Sequence, residues 1–123
     1  MTKSEAIQTF LERLAIPVYA TSAVPDTAEM PYLTWDGVFS AFGDGECAIT
    51  ANIWCYTESE SVPDALCDTL SALIGRGGRV LVCDGGAVWL KRGSPFAQRV
   101  KNTGDDKVKR RYINLSAEFL TAD

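Results

Sequence analysis

Glu46-Cys47-Ala48-Ile49-Thr50-Ala51-Asn52-Ile53-Trp54-Cys55-Tyr56 is the stretch on which the fold turns. One parity, Cys47, Ile49, Ala51, Ile53 and Cys55, is apolar throughout. The other, Ala48, Thr50, Asn52, Trp54 and Tyr56, is mixed. Successive side chains of a strand point to opposite faces, so this alternation predicts a strand with one face on a core and the other toward solvent or a partner. Upstream, Tyr32 to Phe39 is rich in aromatic and β-branched residues, and Phe42-Gly43-Asp44-Gly45 supplies a turn, which makes the two stretches an antiparallel pair. Downstream, Val80 to Cys83, Asp84-Gly85-Gly86 and Ala87 to Leu90 form a hairpin signal around an Asp-Gly turn. A last strand from about Val108 to Leu120 alternates Ile113, Leu115, Ala117 and Phe119 against Tyr112, Asn114, Ser116 and Glu118.

Two helices flank these strands. Thr2 followed by Glu5 is a capping-box pattern, and Ile7, Phe10, Leu11 and Leu14 fall at helical spacing, so a helix over about 3–14 should stop near Ala15, before Pro17. A brief extended piece, Val18 to Thr21, and a proline-containing loop, Ala23 to Pro31, follow. Ser61 is a candidate cap for a second helix over 62–74, with Pro63 in its first turn and Leu66, Leu70, Leu73 and Ile74 as its stripe. Gly75-Arg76-Gly77-Gly78 ends it, with glycine in a left-handed cap. The order is α-β-β-β-α-β-β-β. Each element has one apolar face to bury, so the economical arrangement is α+β: a mainly antiparallel sheet with both helices on one face.

At 123 residues, 46% apolar and 23% charged, residues 1–123 read as a single globular domain. No apolar run approaches the roughly 20 residues that cross a bilayer, and no signal peptide is visible, so the expectation is a cytoplasmic protein with no membrane partner. The absence of histidine removes Ser–His–Asp and Cys–His catalysis and His-ligated metal sites. Cys47, Cys55, Cys67 and Cys83 contain no CxxC spacing and lie in apolar stretches, where free thiols act as small buried hydrophobes. Glu58/Glu60 and Asp105/Asp106 sit in polar stretches without the burial that tunes a catalytic carboxylate. None of the glycine-rich stretches continues as a phosphate loop or a GxGxxG helix opening. Catalytic, cofactor and metal assignments are therefore none, and the expectation is a non-enzymatic protein.

Charge is unevenly distributed. Lys91 to Arg111 carries eight cations and two anions, a net of +6, which leaves −10 for the rest of a chain whose total is −4. Such asymmetry marks either a nucleic-acid face or opposite poles that meet between identical subunits. An acidic chain fits the second better, since phosphate binding favours a basic domain. Arg92 to Gly104 reads as a loop longer than a hairpin needs, and such loops are usually functional. Its Phe96 and Arg99 are residue types enriched at interface hot spots, while Phe96 has the equal alternative of folding back onto the core. The candidate subunit or partner interface is accordingly Arg92, Pro95, Phe96, Gln98, Arg99, Lys101, Lys107, Lys109 and Arg110.

The ordered set Pro31-Tyr32-Leu33-Thr34-Trp35, Ile53-Trp54-Cys55-Tyr56-Thr57, Asp84-Gly85-Gly86, Pro95-Phe96-Ala97-Gln98-Arg99 and Arg111-Tyr112-Ile113-Asn114-Leu115 resembles the tail terminator, or tail completion, proteins of long-tailed bacteriophages. The resemblance spans nearly the whole chain, from about Tyr19 to Phe119. It implies a small α/β subunit with no catalytic site that forms a ring, usually a hexamer, at the head-proximal end of the tail tube. There it stops tube growth and faces the head–tail connector. Implied partners are further copies of itself, the tail tube protein and the connector, with DNA only passing through the lumen. The implied location is the virion tail, after assembly in the host cytoplasm. Head–tail adaptors and tube subunits have similar size and composition. Outside that class, the competing reading is a small nucleic-acid-binding module using Lys101 to Arg111.

Overall fold

Helix α1, Lys3–Leu11, starts on the capping box that the sequence predicts: Glu5 N donates to Thr2 Oγ1 at 3.1 Å and Thr2 N to Glu5 Oε1 at 3.0 Å. Two orphan amides are thereby satisfied at once. The chain continues through a tighter 3-10 turn, Glu12–Leu14, and stops at Ala15, which takes the left-handed conformation at φ 66°. The computed structural model describes residues 1–101 and 104–121. Within them, strands β1 (Val18–Ala20), β2 (Tyr32–Gly37) and β3 (Glu46–Tyr56) precede helix α2 (Ser61–Ile74). Strands β4 (Arg79–Cys83), β5 (Gly86–Val100) and β6 (Val108–Thr121) follow it.

The element order is the expected one, and the six strands form one sheet in the order β1-β2-β3-β6-β5-β4. All neighbours are antiparallel except β1 and β2, which run parallel with Val18 opposite Leu33. Strand β6 lies between β3 and β5, with Ala51 opposite Ile113 on one side and Ala97 opposite Ile113 on the other. The apolar parity of β3 faces inward together with Ile113, Leu115, Ala117 and Phe119, and both helices cover that face through Ile7, Phe10, Leu11, Cys67, Leu70 and Ile74. Leu66 and Leu73, expected to be buried, are partly exposed and pack at the margin of this core; Pro63 is buried in their place. All four cysteines are free and buried.

Four local readings are corrected. Strand β2 ends at Gly37, and Phe39, expected within it, leaves the ladder to lie 5.8 Å from the Phe119 ring centroid. Ser61 does not cap α2, because Glu60 already has helical dihedrals; the Ser59 hydroxyl accepts Ser61 N at 3.2 Å instead. Gly75 ends α2 with φ 79° but an extended ψ of 169°, outside the left-handed helical region. Finally, Arg92 to Gly104 is not a loop. Strand β5 runs through it to Val100, with a bulge between Arg92 and Ala97 where the register against β6 shifts. Proline cannot donate to a ladder, so Pro95 needs such an irregularity. The connection to β6 is residues 101–107, of which 102–103 lie outside the described residues.

Candidate subunit interface at the β5–β6 hairpin

Pairing of β5 with β6 places Arg99 opposite Arg111 and Val100 opposite Arg110, which concentrates cations at one end of the sheet. Arg111 occupies the inward parity of β6 and is 3% exposed. A guanidinium there is tolerable only when paired and hydrogen-bonded. Its Nη2 donates to Glu60 Oε2 at 2.6 Å and to Asp64 Oδ1 at 3.0 Å, and its Nε donates to Asp64 Oδ1 at 3.1 Å. Both acids come from the first turn of α2 and the residue before it, where the helix dipole favours negative charge. Burial works against the Arg111 guanidinium, but the hydrogen bonds to Glu60 and Asp64 outweigh it and hold its pKa above the ordinary value. In return, the Arg111 hydrogen bond, opposed by partial desolvation and reinforced by the charges of Arg111, Arg99 and Lys109, holds the Glu60 carboxyl below the usual range.

Around this buried centre the expected interface residues separate into groups. Arg99, two-thirds exposed, stands 3.5 Å from both Glu60 and Asp64, and Lys109 Nζ is 3.7 Å from Glu60 Oε1. Lys107 is paired with Glu58 at 3.6 Å. Arg110 lies on the opposite face, donating to Asn52 Oδ1 at 2.7 Å with its guanidinium 5.1 Å from the Trp54 ring centroid. Lys101 is exposed and has no carboxylate partner among the described residues. Arg99, Lys101, Lys109 and Arg110 line one cleft of about 360 Å³, with Val100 and Val108 as its apolar wall and Glu60 and Asp106 as its acids. A second cleft of about 350 Å³, formed by Asp64, Asp68, Ala97 and Gln98, opens on the other side of Arg99.

Of the remaining expected residues, Arg92, Pro95 and Phe96 lie farther along β5 and do not join this cluster, whereas Gln98 lines the second cleft beside Arg99. Arg92 donates to the Ser71 hydroxyl at 2.8 Å, and the Pro95 carbonyl accepts from Asn114 Nδ2 at 2.9 Å. Phe96 is half-buried and packs against the core, so its ring supports the fold of its own subunit. Gln98 is exposed on the outer face, opposite Tyr112. Much of the +6 segment is thus neutralised within the chain by Glu46, Glu58, Glu60 and Asp64. The sequence reasoning missed Arg111, Glu60 and Asp64 as a unit. A signal existed, since Arg111 shares the parity of Ile113, Leu115, Ala117 and Phe119 and so had to be buried with a counter-ion.

The three tryptophans also bear on the choice of partner. Trp35 Nε1 donates to Gln8 Oε1 at 2.6 Å, Trp54 Nε1 to Thr34 Oγ1 at 3.1 Å, and Trp89 Nε1 to the Gly77 carbonyl at 2.8 Å. Every indole donor is engaged within the fold, as expected for ring systems that pack between elements.

No protein-family model matches the chain, and no curated protein matches it in sequence. Among solved structures, a chain from the virion of a native gene transfer agent particle shares the fold. The TM-score is 0.64, with 94% of this chain and 92% of that chain covered, at 15% identity. A second solved chain, whose name describes no activity, matches with a TM-score of 0.61 over 98% of this chain and 92% of its own, at 17% identity. Both likenesses are of fold, and both extend over nearly the full length.

Proposed function

We propose that this protein is a non-enzymatic structural subunit of a phage-type particle, and within that class a tail terminator. Copies of it would form a ring, most simply a hexamer, at the head-proximal end of the tail tube. That ring would end tube growth and present a surface to the head–tail connector, with DNA passing through its lumen. The observation that carries the reading is the full-length fold shared with a chain of a gene transfer agent virion. It agrees with the family that the ordered sequence elements from Pro31 to Leu115 resemble. The protein would assemble in the host cytoplasm and end in the virion tail.

The test is assembly in the presence of tail tubes, read by light scattering and particle imaging. The expected result is density at one end only of each tube, with tube length limited when the protein is present during growth. Decoration along the tube would assign it to the tube wall instead. Capture by connector rings without tube ends would make it an adaptor. Monomers that neither bind tube ends nor limit tail length refute the reading.

A further inference from the structure

From Leu14 to Gly75 the chain contains no lysine or arginine, while it carries nine acids. Four of these, Glu46, Glu58, Glu60 and Asp64, are paired with cations from β5 and β6 or the connection between them. Asp26 and Glu29, in the connection from β1 to β2, are exposed and have no cation or hydrogen-bond donor as partner among the described residues. The β1–β2 connection therefore carries two exposed, unpaired acids and no cation. On the other side, Arg99 is held only at 3.5 Å, Lys101 is unpaired among the described residues, and Arg110 has a neutral partner. The cleft that these three line with Lys109 and Arg111 holds only Glu60 and Asp106 as acids, a net of +3.

Topology puts the strand ends next to the two charged surfaces on one row. Tyr32 is opposite Trp54, Trp54 is opposite Arg110, and Arg110 is opposite Val100, so one row crosses β2, β3, β6 and β5. Glu29 lies three residues before Tyr32, and Lys101 directly follows Val100. Three strand spacings of about 4.8 Å separate the ends of this row, roughly 14 Å, which is beyond one Debye length and far beyond ion-pair contact within one copy. At this row β5 is also an open edge, because β4 pairs only with Gly86 to Leu90.

We infer that the Arg99–Lys101 end of β5 docks against the Asp26/Glu29 connection of a second copy of this chain. The inference rests on the self-assembling reading above and names the surfaces that meet. The two surfaces differ, so the contact is head-to-tail, the kind of interface whose repetition gives a ring when the rotation between copies closes. Complementary potentials set register and encounter rate, and the open β5 edge and the Val100/Val108 wall supply backbone and apolar contact.

Two variants test this without tubes. Asp26→Lys with Glu29→Lys makes both surfaces basic. Lys101→Glu with Arg99→Glu takes the cleft from +3 to −1, which makes both acidic. Circular dichroism confirms that each is folded, and Lys101→Glu with Arg110→Glu, also −1 at the cleft, replaces the double variant if loss of the Arg99 contacts to Glu60 and Asp64 disturbs it. Sedimentation at low salt and up to millimolar protein is expected to show wild type self-associating. Each variant alone should be weaker by about tenfold or more, and an equimolar mixture should associate again because unlike surfaces alternate. Wild type that stays monomeric throughout, variants that associate like wild type, or a mixture that fails to recover overturns the inference. So does binding of a short DNA duplex that Lys101→Glu abolishes while self-association is unchanged. Wild type that caps tube ends while the swaps have no effect leaves the terminator reading standing without this interface. Swap-dependent association without tube capping does the reverse.

Discussion

Replacing Arg111 with methionine isolates the buried member of the ion cluster, because the volume is roughly kept while Glu60 and Asp64 lose their buried partner and retain only the looser contacts to Arg99 and Lys109. The Arg111 side chain is 4% exposed, whereas Glu60 and Asp64 are 40% and 48% exposed. Breaking a buried pair typically costs about 3–5 kcal/mol, chiefly because a charge is left stranded in the interior. Here the acids left behind have access to water and keep Arg99 and Lys109 nearby, so the expected loss is smaller, about 2–3 kcal/mol, comparable to one or two charge-assisted hydrogen bonds. For a domain of this size that lowers Tm by roughly 10 °C. The sign of the pH dependence follows from Glu60. Its folded pKa lies below the unfolded one, so its contribution is present above the unfolded pKa and is lost as pH falls through the folded value. Chemical denaturation of wild type and Arg111→Met at pH 7 and pH 3 should show a large difference at pH 7 that shrinks at pH 3. Equal stabilities at pH 7, or a deficit of the same size at both pH values, would refute the assignment of Arg111 as the anchor of α2.

Two further outcomes follow from the packing. An alanine at Gly86 would press its Cβ onto the Leu120 carbonyl and split β5 from β6, so Gly86→Ala should lose about 2 kcal/mol or more, whereas Gly77→Ala, with nothing within 4 Å, should be near neutral by denaturation. Burial pushes the Cys67 thiol up to about 11, against an unfolded value near 8.5, so its contribution is full below about pH 8.5 and is lost as pH rises toward 11. On the order of 3 kcal/mol should disappear over that window in wild type and less in Cys67→Ala. An unchanged alkaline slope in the variant would exclude Cys67 as its source.

What the amino-acid sequence determined by itself is local periodicity and local stops. The apolar parity of Glu46 to Tyr56, the Thr2/Glu5 box, the Asp84-Gly85 turn and the stripe of α2 each lie within one element, and each element formed where its pattern was written. Element order and α+β class follow from these, because one-faced elements have few ways to cover one another. Tertiary structure decided everything that depends on distant partners. The placement of β6 between β3 and β5 joins residues more than 50 positions apart, such as Ala51 and Ile113, and no local pattern encodes that choice. The continuation of β5 past Pro95 depends on β6 offering a ladder on the far side of the bulge, so a segment with loop composition became strand. The interface residues were legible as a charged segment and not as a site. Which of its cations remain available is settled by α2, whose Glu60 and Asp64 reach Arg111 only once helix and sheet have packed. Charge along a chain is additive, but its availability depends on which counter-charges the fold brings within about 4 Å.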